Sequence, residues 1–178
     1  MKLKPFLATA AAATALTLSP AFAALPVGAA APNVVTSAVI GGVKFGFSLK
    51  RALKNGPVVL YFYPKAFTSG CTVEAHNFAE ATDDFNKAGA TVIGMSADDI
   101  ATLTRFSVEE CRNKFAVGVA SPATIKAYDA QIPGKVMASR TSYVIGRDGK
   151  IVYSFASPGA QGHVENTLAA VRAIKAKR

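Results

Sequence analysis

The chain is short of the residues that build metal centres and dithiol motifs. Its 178 residues include only two cysteines, Cys71 and Cys111, and two histidines, His76 and His163. The cysteines stand 40 positions apart, which is neither a C-x-x-C pair nor a zinc spacing. With no His/Cys cluster, neither a metal site nor a cofactor is expected. Acidic residues are also few, 11 against 20 Lys and Arg, for a formal charge of +9. That balance can signal nucleic acid or anionic surfaces. Here the basic residues are scattered, and their one cluster, Lys175-Ala176-Lys177-Arg178, reads as a solvated tail. Nucleic-acid binding is therefore set aside. The longest apolar stretch, Phe6 to Leu18, falls short of the roughly 20 residues that span a bilayer, so no membrane partner is expected.

That stretch has another use. Met1-Lys2-Leu3-Lys4 is a basic start, Phe6 to Leu18 is apolar and alanine-rich, and Ala21-Phe22-Ala23 is an A-x-A cleavage site. This is the layout of a secretory signal peptide, residues 1–23, followed by one domain, residues 24–178. No cysteine precedes Cys71, against a lipoprotein anchor, and no Arg-Arg pair suggests the twin-arginine route. Export to the periplasm is expected, and disulfides persist there. Cys71 and Cys111 could then simply staple the fold.

Past a Gly/Ala/Pro-rich lead-in, Asn33 to Phe47 alternates around Gly41-Gly42 and predicts a hairpin or two short strands. Ser48 can cap a brief helix over Leu49 to Leu53, ended by Asn55-Gly56. Val58 to Tyr63 is an apolar, β-branched and aromatic run, as in a strand buried on both faces. A helix over Thr72 to Lys87 and a strand over Ala90 to Ser96 complete a βαβ unit. Asp98 or Asp99 can cap a helix from Ile100 to Lys114 that contains Cys111. Phe115 to Ala120 is a short strand, and Ser121-Pro122 opens a short helix through Tyr128. Strands at Thr141 to Ile145 and Lys150 to Phe155 flank an Asp148-Gly149 turn. A last helix after Gly162-His163 puts Val164, Leu168, Val171 and Ile174 on one face.

Chemistry points to Pro57 to Phe78, PVVLYFYPKAFTSGCTVEAHNF. Pro64 stops the strand, and the loop Lys65 to Gly70 delivers Cys71 to the first turn of a helix. Free backbone N–H groups and the helix dipole there favour thiolate over thiol. A lone cysteine in an alanine-rich helix is more often a small buried apolar residue. The surrounding residues argue otherwise. Pro64, Thr68 and Cys71 form P-x-x-x-T-x-x-C, followed by Thr72 and Glu74, and this resembles the peroxiredoxin signature. YFYPKAFTSGCTVE is most similar to the bacterioferritin-comigratory (Q-type) branch.

The resemblance implies an α/β thioredoxin-like fold, with a central mixed sheet flanked by helices, and a thiol-specific peroxidase acting on H2O2 and organic hydroperoxides. By the same resemblance Cys71 is the peroxidatic nucleophile, the Thr68 hydroxyl holds the peroxide and Pro64 shields the sulfur. Arg140-Thr141-Ser142-Tyr143 is similar to the family's R-x-x-F/Y stretch, where the arginine faces the cysteine. Guanidinium forks suit oxygen and carboxylate partners. Glu74, one helical turn after Cys71, can hold Arg140 in place. Some Q-type relatives carry a resolving cysteine five positions after the peroxidatic one. That position is His76 here; others carry it on the following helix, where Cys111 falls, and the resemblance thus implies Cys111 as the resolving residue of an intramolecular disulfide. Such a bond needs Cα atoms within about 7 Å, and local unwinding is expected when it forms. His76 and His163 read as exposed helix residues.

Two rivals remain. One is a periplasmic thiol–disulfide oxidoreductase, disfavoured by the missing C-x-x-C. The other is a non-enzymatic domain with a structural Cys71–Cys111 disulfide. The expected reductant is an exported thioredoxin-like or glutaredoxin-like partner, and the resemblance leans towards a monomer.

Overall fold

In a computed structural model of the chain, residues 24–176 are described, and the expected leader lies outside them. The elements follow in the order β1 (Val35–Ile40), β2 (Val43–Ser48), α1 (Leu49–Asn55), β3 (Val58–Phe62), α2 (Ser69–Lys87) and β4 (Thr91–Ser96). They continue with α3 (Ile100–Glu109), β5 (Ala116–Val119), α4 (Pro122–Ala127), β6 (Thr141–Ile145), β7 (Ile151–Ala156) and α5 (His163–Ala176).

The apolar run at β3 makes this strand the middle of the molecule. All five of its residues are buried. It pairs in parallel with β4 on one side and antiparallel with β6 on the other. The whole sheet runs β2-β1-β5-β4-β3-β6-β7 and is mixed, as the resemblance implied. Side chains alternate across a strand, so β3 feeds two cores at once. Val59, Tyr61 and Tyr63 join Phe78 of α2, Phe106 of α3 and Leu168 of α5 on one face. Val58, Leu60 and Phe62 join Leu53 of α1 and Ile125 of α4 on the other. Each such side chain contributes roughly 1.5–3 kcal/mol by leaving water. Gly94 of β4 is needed beside Tyr61, because a Cβ there would lie 2.7 Å from its ring.

The caps follow sequence chemistry. Ser48, Asp99 and Ser121 accept hydrogen bonds from the backbone N–H groups of Arg51, Thr102 and Thr124. Of the two aspartates, Asp99 caps α3. Asp98 instead accepts from the Ala66 N–H and the Ser96 hydroxyl, both at 2.8 Å.

Three expectations need correction. The Cys71 helix starts at Ser69 rather than Thr72, which still leaves Cys71 in its first turn. α3 ends at Glu109, five residues before Lys114, so Cys111 sits in the turn beyond it rather than on a helix. Arg112 and Asn113 adopt left-handed φ values of 51° and 60° there, which no right-handed helix accommodates. His163 opens the last helix as expected, but it is fully buried rather than exposed.

Candidate active site

The site forms where β3 ends. Pro64 follows a last sheet bond from the Tyr63 N–H to the Met95 carbonyl at 3.0 Å. The chain then turns through Phe67, at a left-handed φ of 62°. This loop is pinned from two sides. Asp98 takes the Ala66 N–H, and the Thr68 hydroxyl donates to the Lys65 carbonyl at 3.0 Å. Because that bond uses the hydroxyl proton, the lone pairs of Thr68 Oγ remain free to accept from a peroxide O–H. Thr68 is also the residue before α2, and it makes no side-chain capping bond. Cys71 lies three residues further on, with 2% of its surface exposed.

Arg140, immediately before β6, reaches Cys71 across the sheet. Its Nη2 donates to Cys71 Sγ at 3.4 Å, its Nε to the Pro158 carbonyl at 3.1 Å, and its Nη1 to Glu74 Oε2. Gly70 gives this guanidinium room, since a Cβ at that position would stand 3.2 Å from Nη2. Thus Cys71, Arg140 and Glu74, 69 positions apart at the widest, meet as one buried cluster. Thr68 and half-buried Pro64 lie on the loop that leads into it.

Burial shapes the charges. It opposes the guanidinium's charge, but Glu74 and Cys71 outweigh it and hold Arg140 above its ordinary value. Burial pushes the Glu74 carboxyl up to about 8, with Arg140 pulling against it. An arginine keeps its proton at any working pH. The proton that moves in this pair is therefore the one on Glu74.

Cys111 has a different setting. It is fully buried in the same core as Tyr63, Phe106 and Phe115, and burial pushes its thiol well up. Both cysteines are free thiols. The turn carrying Cys111 is tied to α2 by a hydrogen bond between His76 Nε2 and Glu110 Oε2 at 2.7 Å and by two ion pairs, Arg112–Glu80 at 3.2 Å and Lys114–Asp83 at 3.6 Å. The bonded partners of α2 are spaced four and three residues apart, along one helix face.

Sequence reasoning missed Asp98, His163 and Ser142. Nothing local distinguished Asp98 from Asp99, and His163 meets Ser142 only through the packing of α5 on the sheet. Ser142 Oγ and His163 Nδ1 are 2.8 Å apart and buried.

A mixed seven-stranded sheet flanked by helices, with a buried cysteine at the end of its central strand and a guanidinium facing it, defines a thioredoxin-like protein. The sequence profile of the AhpC/TSA family matches residues 27–154. Peroxiredoxin Bcp of Xanthomonas campestris is 30% identical over 129 residues, covering 69% of this chain and 81% of that protein. Peroxiredoxin Bcp of Escherichia coli is 35% identical over 111 residues, covering 55% and 67%. Among solved structures, peroxidoxin BcpB from Mycobacterium tuberculosis superimposes with a TM-score of 0.74 at 29% identity, covering 83% of this chain and 97% of that one. The chain belongs to the AhpC/TSA family, in its bacterioferritin-comigratory (Q-type) peroxiredoxin branch. It is a thiol-dependent peroxidase.

Proposed function

We propose that Cys71 is the peroxidatic nucleophile towards H2O2 and organic hydroperoxides, and that Cys111 resolves the oxidised sulfur. The observation that carries this reading is the guanidinium of Arg140 donating to Cys71 Sγ inside a buried cluster. A charge there favours the sulfur anion and the negative charge that develops on the peroxide oxygens. In the first step the Cys71 thiolate attacks the terminal peroxide oxygen. An S–O bond forms, the O–O bond breaks, and the departing oxygen takes a proton to leave as water or alcohol. Thr68 accepts from the peroxide and Pro64 screens the sulfur from bulk water. Cys71 is left as a sulfenic acid.

In the second step the Cys111 sulfur attacks Cys71 Sγ, expelling water and forming a disulfide. Burial holds Cys111 as a thiol in the closed state. Its turn must therefore leave the core before it reacts, as the α2 N-terminus must open to receive it. An exogenous dithiol of thioredoxin-like or glutaredoxin-like type then restores both thiols by exchange. The reading includes cleavage of the leader after Ala23 and action outside the cytoplasm, on the strength of the basic start, apolar stretch and A-x-A site. With both cysteines in one chain and one core cluster, the cycle requires no second copy, and a monomer suffices.

The test is intact mass after one equivalent of H2O2 with dimedone present, for reduced mature protein and for Cys111→Ser. The reading expects loss of two hydrogens in the unsubstituted protein and a dimedone adduct on Cys71 in the variant. Failure of both proteins to react within minutes overturns the assignment of Cys71. A dimedone adduct on Cys71 in both proteins, with no disulfide, overturns the assignment of Cys111 alone.

A further inference from the structure

Basic residues that are scattered along the chain are gathered by the fold. Counted formally, residues 24–176 hold 16 Lys and Arg against 11 Asp and Glu, an excess of five. That excess stands at one end of the molecule, where β3 begins and α1, α2 and α5 finish. An open cleft of about 420 Å³ there is lined by Asn55, Pro57, Val171, Ile174, Lys87 and Lys175. Arg172, one turn before the end of α5, donates to Asp84 at 2.9 Å beside it. A second cleft, of about 360 Å³, is lined by Lys50, Leu53, Lys54, Arg147 and Asp148, and Lys150 follows in the same hairpin. Arg147 ties that hairpin to α1 by donating to the Lys54 carbonyl, and Lys175 ties α5 to α2 by donating to the Lys87 carbonyl, both at 2.8 Å. Seven exposed cations thus share this end with Asp84 and Asp148, whereas the nine cations and nine acids elsewhere cancel. Asp83, next to Asp84, belongs to that balanced remainder, since it faces Lys114.

We propose that this basic end is a docking face for anionic phospholipid headgroups, holding the protein on a bilayer surface with its Cys71 end turned to solvent. Among the described residues no helix is long and apolar enough to cross a membrane, so the contact is peripheral. Cys71 lies beyond the opposite end of β3. The five residues of that strand, at about 3.3 Å each, hold the two ends about 17 Å apart. A docked molecule therefore keeps its thiol site open to the aqueous phase. The proposal does not depend on the chemistry assigned to Cys71.

The make-up of this end favours lipid over other polyanions. Five of the seven cations are lysines, compact charges on flexible stems rather than forks that grip one phosphate bidentately. Leu53, Val171 and Ile174 line the clefts between them, so the stems can rest on apolar surface while the ammonium groups reach outward. No aromatic side chain lines either cleft, as base stacking on a nucleic-acid strand would need. The last turn of α1 stands between the clefts, with Asn55 in one and Lys54 in the other, so they form no continuous channel for a strand. A lipid surface can meet both at once. Each Lys or Arg brought close to an anionic bilayer strengthens binding about fivefold.

The experiment needs no peroxide. Protein beginning at Ala24, free of the apolar stretch Phe6 to Leu18, is sedimented with phosphatidylcholine vesicles that contain about one-third phosphatidylglycerol, and with vesicles of phosphatidylcholine alone. Binding is expected to the first only, and should be lost in about 1 M salt, where charges are screened beyond about 3 Å. Lys54→Gln with Lys87→Gln should weaken it about twenty-fivefold, the effect of two cations. Lys126→Gln with Lys135→Gln removes the same charge from exposed positions on α4 and on the loop before Arg140, and should change binding by less than about twofold. Equal losses in the two pairs would make binding a matter of net charge and overturn the proposal. Lysine acetylation read by mass spectrometry fixes the orientation. Lys87 and Lys150 should be protected on vesicles while Lys126 is labelled, and the reverse pattern overturns the proposal too. So does a failure to bind the anionic vesicles, or tighter binding to a single-stranded oligonucleotide at the same salt. A protein that docks as described yet ignores H2O2 sinks the peroxidase reading instead.

Discussion

Cys71 and Cys111 are the same residue type, both buried and both free, in the same hydrophobic core. Their surroundings are opposite. Cys71 stands in the first turn of a 19-residue helix with a guanidinium 3.4 Å from its sulfur. Cys111 sits in a turn among aromatic rings, where burial, reinforced by the neighbouring Glu110, holds it as a thiol. One environment is polar, pinned and complete before any ligand arrives. The other is apolar and sets no cation against its sulfur. Burial by itself therefore says nothing of reactivity; the partner facing the sulfur does.

The comparison can be broken most directly at the sulfur. Cys71→Ser should lower peroxide consumption by a thousandfold or more, about 4 kcal/mol, while Cys111, still in its core, fails to substitute. Peroxide decay followed by a coupled assay decides it, and residual turnover above one per cent would assign the chemistry to Cys111. Next, Arg140→Met should slow the single-turnover reaction by about a hundredfold to a thousandfold, the scale of losing one preorganised donor. Arg140→Lys should recover little, because an ammonium cannot bond sulfur, Glu74 and the Pro158 carbonyl together. A lysine variant at full rate would reduce Arg140 to a simple point charge.

Acid sharpens the contrast from the other side. His163 is held neutral in the folded protein, its value lowered from 6.5 to about 4 by burial. A depressed value means that the stability it contributes is present above pH 6.5 and lost as pH falls through about 4. The loss should reach about 3 kcal/mol by linkage, read as how much more unfolding free energy in urea the parent loses between pH 7 and pH 4 than a His163→Leu variant does. Glu74 works in the reverse sense, since its raised value makes folding less favourable as pH rises towards 8. A His163→Leu variant that loses as much stability in acid as its parent would refute the assignment.

The smallest effect concerns release of Cys111. Removing one exposed tie, as in Arg112→Ala, should ease opening of the turn by about 0.2–1 kcal/mol. Disulfide formation after a peroxide pulse should then speed up by a few-fold at most, and added salt should act in the same direction. Slower disulfide formation in the variant would mean that the ion pairs guide closure rather than restrain opening.

How much of this was legible follows from the range of each interaction. The β3 run, the Ser48 and Ser121 caps and the P-x-x-x-T-x-x-C loop are local patterns, and each stands where the sequence puts it. The pairing of Arg140 with Glu74 and Cys71 was reachable only through family resemblance, since 66 and 69 residues separate them. The end of α3 was misjudged because Arg112 and Asn113 turn left-handed without a glycine to announce it. His163 was misjudged because a histidine after a glycine at a helix start normally faces water.

The sequence by itself determined the strand and helix order, the two-faced burial of β3 and the placing of Cys71 in a helix's first turn. These rest on side-chain period and backbone geometry within a few residues. Only the tertiary structure decided which groups face each sulfur. It set Arg140 against Cys71, enclosed Cys111 in rings, and brought His163 to the unpartnered oxygen of Glu74. Electrostatics at a site depends on distance and burial rather than on spacing along the chain, and those exist only once the sheet and helices have packed.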